Sequence, residues 1–329
     1  MTSRLPTTDI YFLHACQNWI SRWWSRGPVK ALGKNCFVVG ETMILIRRDD
    51  EVLMRRALNW PGRLIYLIDD DIAGAAESPD LPQDYRRRLQ QFDRDFHRKL
   101  LERADELLVS SPLLEALFGE DSRITAQIRK VMPYWPIPFA DTDHFEDLRH
   151  GRLLKIVHLG SGSHAGAFTA LAPAVIDVIA RHKNVHFTFF GREAPPAFPA
   201  SHPRITRIAP MRWPAYRRWL ASQRFHLALY PLDQSRFDSA RSPNKIIEHA
   251  VVGAVGLYPE NWITARLTGG GCLAAPVNPA DWAGTVRSAV ELGARLADLA
   301  RQARRSLEPA HDPTLQRALW AELLGLPIE

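Results

Sequence analysis

The sequence predicts an α/β protein in two halves, each a doubly wound, mostly parallel sheet with helices on its faces. Three observations carry that expectation. Short apolar runs of strand length alternate with segments of helical periodicity in both halves of the chain. Pro133-Tyr-Trp-Pro-Ile-Pro138 interrupts the alternation and cannot sustain a helix. A chain of 329 residues accommodates two domains of ordinary size. The expected boundaries are residues 1–140, residues 141–312 and a closing helical segment, 313–329.

Taken in order, the apolar run Ile10-Tyr-Phe-Leu-His14 reads as a first strand, and Trp19, Trp23 and Trp24 lead on toward Leu32-Gly33. Cys36 to Val39 and Met43 to Ile46 are buried-strand candidates. Val52 to Leu58 has helical spacing and stops at Pro61-Gly62. Leu64 to Ile68 is a strand that ends in Asp69-Asp70-Asp71. Tyr85 to Leu101 is one long charged helix, and Glu106 to Val109 is a strand. Ser110-Ser111-Pro112 starts a helix through Leu117, a hydroxyl preceding proline at the first helical position. Past the proline-rich linker, strands fall at 154–159, 185–190, 205–208, 225–230 and 254–258. Pro313 to Leu324 is an amphipathic helix.

Composition narrows the class. Hydrophobic content of 46% is that of a globular protein, and no apolar run reaches the ~20 residues that cross a bilayer. The N-terminus lacks the apolar core of a signal peptide, and the expected location is the cytoplasm. The three cysteines, Cys16, Cys36 and Cys272, are widely spaced, fit neither a disulfide framework nor a zinc site, and read as small hydrophobes. The formal net charge is +6, with arginine clusters at Arg86-Arg87-Arg88, Arg217-Arg218 and Arg301 to Arg305. None resembles a recognition helix or a basic tail, so no nucleic-acid partner is expected. An arginine-rich surface, or peripheral contact with an anionic inner membrane, accounts for the charge.

The most informative stretch is Ser242-Pro-Asn-Lys-Ile-Ile-Glu-His-Ala-Val-Val-Gly-Ala-Val-Gly256. Ser242 and Pro243 read as N-cap and first helical residue, followed by Asn244. Lys245 and Glu248 share a helix face near that N-terminus. Helix amides with a lysine suit a diphosphate, and a carboxylate one turn on can accept from ribose hydroxyls. A solvated ion pair has the same spacing.

This stretch resembles the donor-binding signature of family-4-type retaining glycosyltransferases, Ser-Pro-x-Lys-x-x-Glu-Tyr-x-Ala-x-Gly-x-Pro-Val. Glu248 falls on the ribose-binding glutamate, Lys245 on the lysine before it, and Gly253 on the glycine ending the helix. Upstream, Ile156-Val-His-Leu-Gly-Ser-Gly-Ser-His164 with Phe168 resembles the glycine turn that opens the nucleotide-binding domain. Phe187-Thr-Phe-Phe-Gly191 and Phe225-His-Leu-Ala-Leu-Tyr-Pro-Leu232 resemble its later strands. The resemblance implies a two-Rossmann, GT-B type fold with a central cleft and a C-terminal helix that crosses back to the first domain. It implies sugar transfer from a nucleotide-diphosphate donor to a glycan, lipid-linked or other acceptor, with retention and without a tightly bound metal or cofactor. Bacterial cell-surface polysaccharide synthesis is the implied setting. Gly160, Ser161, His164, Arg192, Met211, Ser242, Pro243, Asn244, Lys245 and Glu248 are the implied donor contacts.

Two departures stand out. Ala167 replaces a usual aspartate, and Ala240 stands where relatives carry a first glutamate near the transferred sugar; Asp238 is a nearby substitute. Arg241 and Lys245, with the amides after Gly160, are candidates to neutralise the leaving diphosphate. Asp69 and Asp71 end a strand, where ligand crevices form in open α/β sheets, and are candidates to touch acceptor or sugar; an acidic helix cap is the alternative. His14 is a candidate base or a buried structural histidine. A nucleotide-sugar-binding partner subunit without catalysis, and a nucleotide-sugar epimerase on the same architecture, are the competing functions.

Overall fold

The computed structural model describes residues 4–21, 27–160 and 165–328, so Trp23 and Trp24 lie outside the described residues. The chain opens with a short helix, α1 (Pro6–Thr8), that runs on as a π turn, Asp9–Leu13. The first sheet contains β1 (Lys30–Ala31), β2 (Cys36–Val39), β3 (Thr42–Ile46), β4 (Leu64–Ile68), β5 (Glu106–Val109) and β6 (Gln127–Lys130), in that spatial order. The β1–β2 and β2–β3 pairs are antiparallel, and β3 to β6 are parallel. Between the parallel strands lie α2 (Glu51–Leu58), α3 (Ile72–Glu77), α4 (Gln83–Phe92), α5 (Arg98–Arg103) and α6 (Pro112–Gly119). The long helix expected from Tyr85 to Leu101 is present, but a π turn at Asp93–His97 divides it into α4 and α5.

The segment Ile10 to His14 is helical, not a strand. The reason is topological. Parallel strands that advance in one direction through right-handed crossovers send their helices to one face of the sheet. On that face Met43, Leu45, Tyr66, Ile68 and Val109 pack with Leu53, Leu89 and Phe92. The other face, with Ile44, Ile46, Ile65, Leu67 and Leu108, must be covered by something else. Ile10, Phe12 and Trp320 cover it. An apolar run of five residues satisfies either strand or helix, and the uncovered face decided the outcome.

The second half contains α7 (Glu146–Arg149), β7 (Leu154–His158), α8 (Ala165–Arg181), β8 (Val185–Phe190), β9 (Ile205–Ile208), α9 (Trp213–Ser222), β10 (Leu227–Leu229) and α10 (Arg236–Ser239). It continues through α11 (Asn244–Val251), β11 (Val255–Pro259), β12 (Leu273–Ala275), α12 (Ala283–Leu292) and α13 (Leu296–Leu307) to α14 (Pro313–Leu324). Its sheet is parallel throughout, in the order β12-β11-β10-β7-β8-β9. The chain reverses its winding between β7 and β10. Ligands bind beyond the carboxyl ends of strands at such a switch point.

Helix α14 packs against the first half. Trp320 Nε1 donates to the Tyr11 carbonyl at 2.8 Å, and Gln316 Nε2 donates to the carbonyls of Ile10 at 3.0 Å and Met132 at 2.7 Å. Trp320 is fully buried, and its ring meets Phe12 edge-on at 4.7 Å. Trp320→Ala should therefore cost about 3–5 kcal/mol of unfolding free energy in urea titration. Leu315→Ala, at a side 57% exposed on the same helix, should change it by less than about 0.5 kcal/mol.

Candidate functional site

The carboxyl ends of β7 and β8, the loop before α9 and the start of α11 enclose a cavity of about 800 Å³. Gly160, Phe190, Arg192, Met211, Tyr216 and Lys245 are among its lining residues. Of the residues singled out from sequence, Gly160, Arg192, Met211 and Lys245 thus come together at one cavity. Ser161 and His164 lie outside the described residues.

Glu248 is buried and sits one turn from Lys245. The Lys245 ammonium reaches its Oε2 at 2.5 Å, and the Tyr216 hydroxyl donates to the same oxygen at 2.6 Å. No described residue donates to Oε1. The carboxylate is therefore held through Oε2, and it lies behind Lys245 and Tyr216 without itself lining the cavity. Burial and the neighbouring Glu248 charge push the Tyr216 phenol well above its ordinary range, so it stays a donor. Tyr216 was missed from sequence. Its signal was the aromatic spacing Trp213, Tyr216, Trp219 along α9, which reads first as core packing.

His158, at the end of β7, was also missed. It is buried, stacked on Phe168 at 4.3 Å, and its Nδ1 lies 3.0 Å from the Leu229 carbonyl. Burial lowers its pKa to about 4, so the ring is neutral with Nδ1–H donating. A Cβ at Gly160 would meet His158 Nε2 at 2.0 Å, which is why glycine stands there.

The start of α11 departs from expectation by one residue. Pro243 holds the cap position, the helix begins at Asn244, and no side chain caps it. Ser242 is therefore not the N-cap. Asn244 Oδ1 accepts from the Tyr11 hydroxyl of the opening helical segment at 3.1 Å. Neither Ser242, Pro243 nor Asn244 lines the cavity.

Asp69, Asp70 and Asp71 end β4, and all are buried. Asp69 accepts from Thr7 at 2.6 Å and pairs with Arg47 at 3.3 Å. Asp71 caps α3, accepting from the Gly74 amide at 2.9 Å, and pairs with Arg236 at 2.6 Å. Arg241 bridges Asp238 at 3.1 Å and Asp70 at 3.4 Å, with its guanidinium 3.9 Å from the Phe237 ring centre. Asp70, Asp71, Arg236 and Arg241 thus form a seam between the two halves, Asp69 is held within the first half, and Asp69, Asp71 and Arg241 do not line the cavity. Asp238 is spent in the same seam, and the Ala240 carbonyl accepts from Ser111 at 2.8 Å.

Asp233 carries the half-buried carboxyl of that loop, beside Gly166 at the start of α8. Burial, with Asp238 and Asp80 nearby, raises its pKa to about 6. His14 accepts from Arg217 at 3.0 Å through Nε2, and burial together with that arginine lowers its pKa to about 4. It belongs to the contact between the opening segment and α9, where Trp213 Nε1 also donates to Asp9 at 2.9 Å.

Cys16, Cys36 and Cys272 are unpaired thiols, the first two buried. Among the described residues no cluster of metal-ligating side chains occurs, and no helix is long and apolar enough to cross a membrane.

No family model and no curated protein matches the sequence. Solved structures do. HepE of Anabaena, in complex with UDP and glucose, is 13% identical with a TM-score of 0.58, covering 86% of this chain and 77% of that one. WaaG, a glycosyltransferase involved in lipopolysaccharide biosynthesis, is 14% identical with a TM-score of 0.57, covering 83% and 81%. Sucrose-phosphate synthase from Thermosynechococcus elongatus is 12% identical with a TM-score of 0.56, covering 83% and 71%. The class is settled at the level of fold: the chain has the two-domain GT-B architecture of these glycosyltransferase structures.

The titration of His158 has a consequence for stability. An unfolded histidine titrates near ~6.5, and the folded ring near about 4. Between those values the unfolded chain binds a proton that the folded chain does not. Stability is complete above the unfolded value and falls as pH drops toward the folded one. His14 and His226, also lowered to about 4, add to the slope. In His158→Gln the loss of unfolding free energy across this window should be shallower by up to about 1.4 kcal/mol per pH unit, read by urea titration at several pH values.

Proposed function

We propose that the chain is a glycosyltransferase that moves a sugar from a nucleotide-diphosphate donor to a hydroxyl of a glycan or lipid-linked acceptor. The observation that carries this reading is Glu248, buried and gripped through Oε2 alone, with Lys245 beside it at the rim of a nucleotide-sized cavity. The switch-point position and the likeness to HepE holding UDP and glucose support it.

In this reading Oε1 of Glu248 accepts from the donor ribose. Lys245 neutralises the departing diphosphate. Phe190 and Met211 flank the base, and Arg192 reaches it or a phosphate. With Ala240 unable to contact the sugar and Asp238 locked to Arg241, Asp233 is the carboxyl that accepts from a sugar hydroxyl. Asp69, Asp71 and Arg241 hold the sugar-side loop in place and do not touch the donor. Retention, turnover without a tightly held metal, and work in a bacterial cytoplasm on surface polysaccharide belong to the same reading. They rest on the resemblance of residues 242–256 and on neighbours such as WaaG.

A second reading is favoured by one observation. Arg241, a candidate for stabilising the leaving group, is already neutralised by two carboxylates. A nucleotide-sugar-binding subunit without turnover would keep the cavity and dispense with that charge.

Screening uridine, guanosine and adenosine diphosphate sugars by thermal unfolding tests donor binding directly. A donor at one hundred times its dissociation constant should add about 2.7 kcal/mol. Lys245→Ala should lower kcat/KM for that donor by about 10²–10³, and Glu248→Ala should abolish detectable transfer and donor hydrolysis. Unchanged turnover in both variants would refute the assignment. Tight binding with no turnover on any acceptor would favour the binding subunit.

A further inference from the structure

A second cavity, of about 630 Å³, lies at the opposite end of the same strands. Its walls are the amino ends of β7, β8 and β10 and the connector around α7. Four cations converge on it: Arg152, Lys155, Lys183 and Arg224. Only Arg152 has a carboxylate partner, Asp147 at 3.1 Å. Arg224 is bound to the backbone carbonyls of Ala221 and Gln223, and the two lysines form no ion pair with any described residue. Elsewhere among the described residues many arginines have acidic partners, as Arg47, Arg55, Arg63, Arg98 and Arg123 do. Three unneutralised cations around one concavity repel one another, and an anion bound between them relieves that repulsion.

Two imidazoles form the back wall. His226 Nδ1 accepts from the Lys155 amide at 2.9 Å, and the His144 ring nitrogen Nε2 lies 2.8 Å from the Phe225 carbonyl. Burial lowers the pKa of both, so they add shape and fixed dipoles but not charge. The wall is rigid. Gly253, at φ 74°, would bring a Cβ within 2.7 Å of His144 Cε1, so the ring is seated directly under the end of α11.

We infer that this cavity is a phosphate-binding site, separate from the donor cavity, for a small phosphomonoester or the phosphate headgroup of a lipid. Nothing in it depends on the activity proposed above. The chemistry is that of Lys and Arg donors directed at phosphate oxyanions, which no single exposed cation would retain.

Calorimetric titration of the full chain with glycerol 3-phosphate, and flotation with phosphatidylglycerol against phosphatidylcholine vesicles, tests it. Saturable binding of one glycerol 3-phosphate is expected, about ten-fold weaker or more in Lys155→Gln/Lys183→Gln and unchanged in Lys245→Ala. Both substituted lysines are exposed, so the double variant should unfold at the wild-type temperature. Saturable binding to phosphatidylglycerol vesicles alone, lost in the double variant, would keep the site and assign it to a lipid headgroup. Binding lost in Lys245→Ala but kept in the double variant would place the phosphate in the donor cavity and overturn the inference. No saturable binding of either probe would overturn it as well.

Discussion

The architecture depends on a buried ionic seam between the two halves. Among the described residues, four carboxylates (Asp69, Asp70, Asp71 and Asp238) face three guanidinium groups (Arg47, Arg236 and Arg241). The imbalance shows in their protonation. Burial raises Asp69 and Asp238 above the usual carboxylate range. Burial works against the Asp70 charge too, but Arg47 and Arg241 outweigh it and hold Asp70 below that range. Such a network specifies an arrangement more than it adds stability, because removing any one partner strands a charge out of water. Here the arrangement it specifies is the position of the loop 233–241 against the end of β4.

That role redistributes duties along the loop. The usual glutamate position is Ala240, whose carbonyl is tied to Ser111 in the first half. A carboxylate there would need its own buried partner in a seam already short of cations. Asp233 escapes this because it lies at the outer end of the loop, half-buried, with its amide rather than its carboxylate tied to Asp238 at 2.8 Å. The opening helical segment belongs to the same economy of contacts. Tyr11, Asp9 and His14 reach α9 and α11, and α14 closes over the segment from behind.

Much of this was legible in the residues. Strands β2, β4, β5, β8 and β9 are apolar or β-branched runs bounded by turn residues, and helix α6 has a serine before a proline; both signals are local. Lys245 and Glu248 were legible because a spacing of three on a short helix fixes a shared face. Strands β1, β6 and β12 were not, since Lys30–Ala31 and Gln127–Lys130 are polar edge strands and Leu273–Ala275 is three residues long. Tyr216 and His158 were hidden for a different reason. Each is an aromatic or imidazole at a spacing that core packing explains equally well, and only the neighbour it meets gives it a role.

By itself the sequence determined the alternation of elements, the break at the proline-rich linker, and the helix that carries the lysine and glutamate. These follow from periodicity, capping and ring constraints, all of which act over a few residues. The tertiary structure alone decided whether residues 10–14 would be strand or helix, because the answer lay in a sheet face left uncovered by one-way crossovers. It alone decided that Asp71 pairs with Arg236 and Arg241 with Asp70 across the two halves. Charge does not reveal its partner along the chain; Asp71 and Arg236 are 165 residues apart and 2.6 Å from contact to contact.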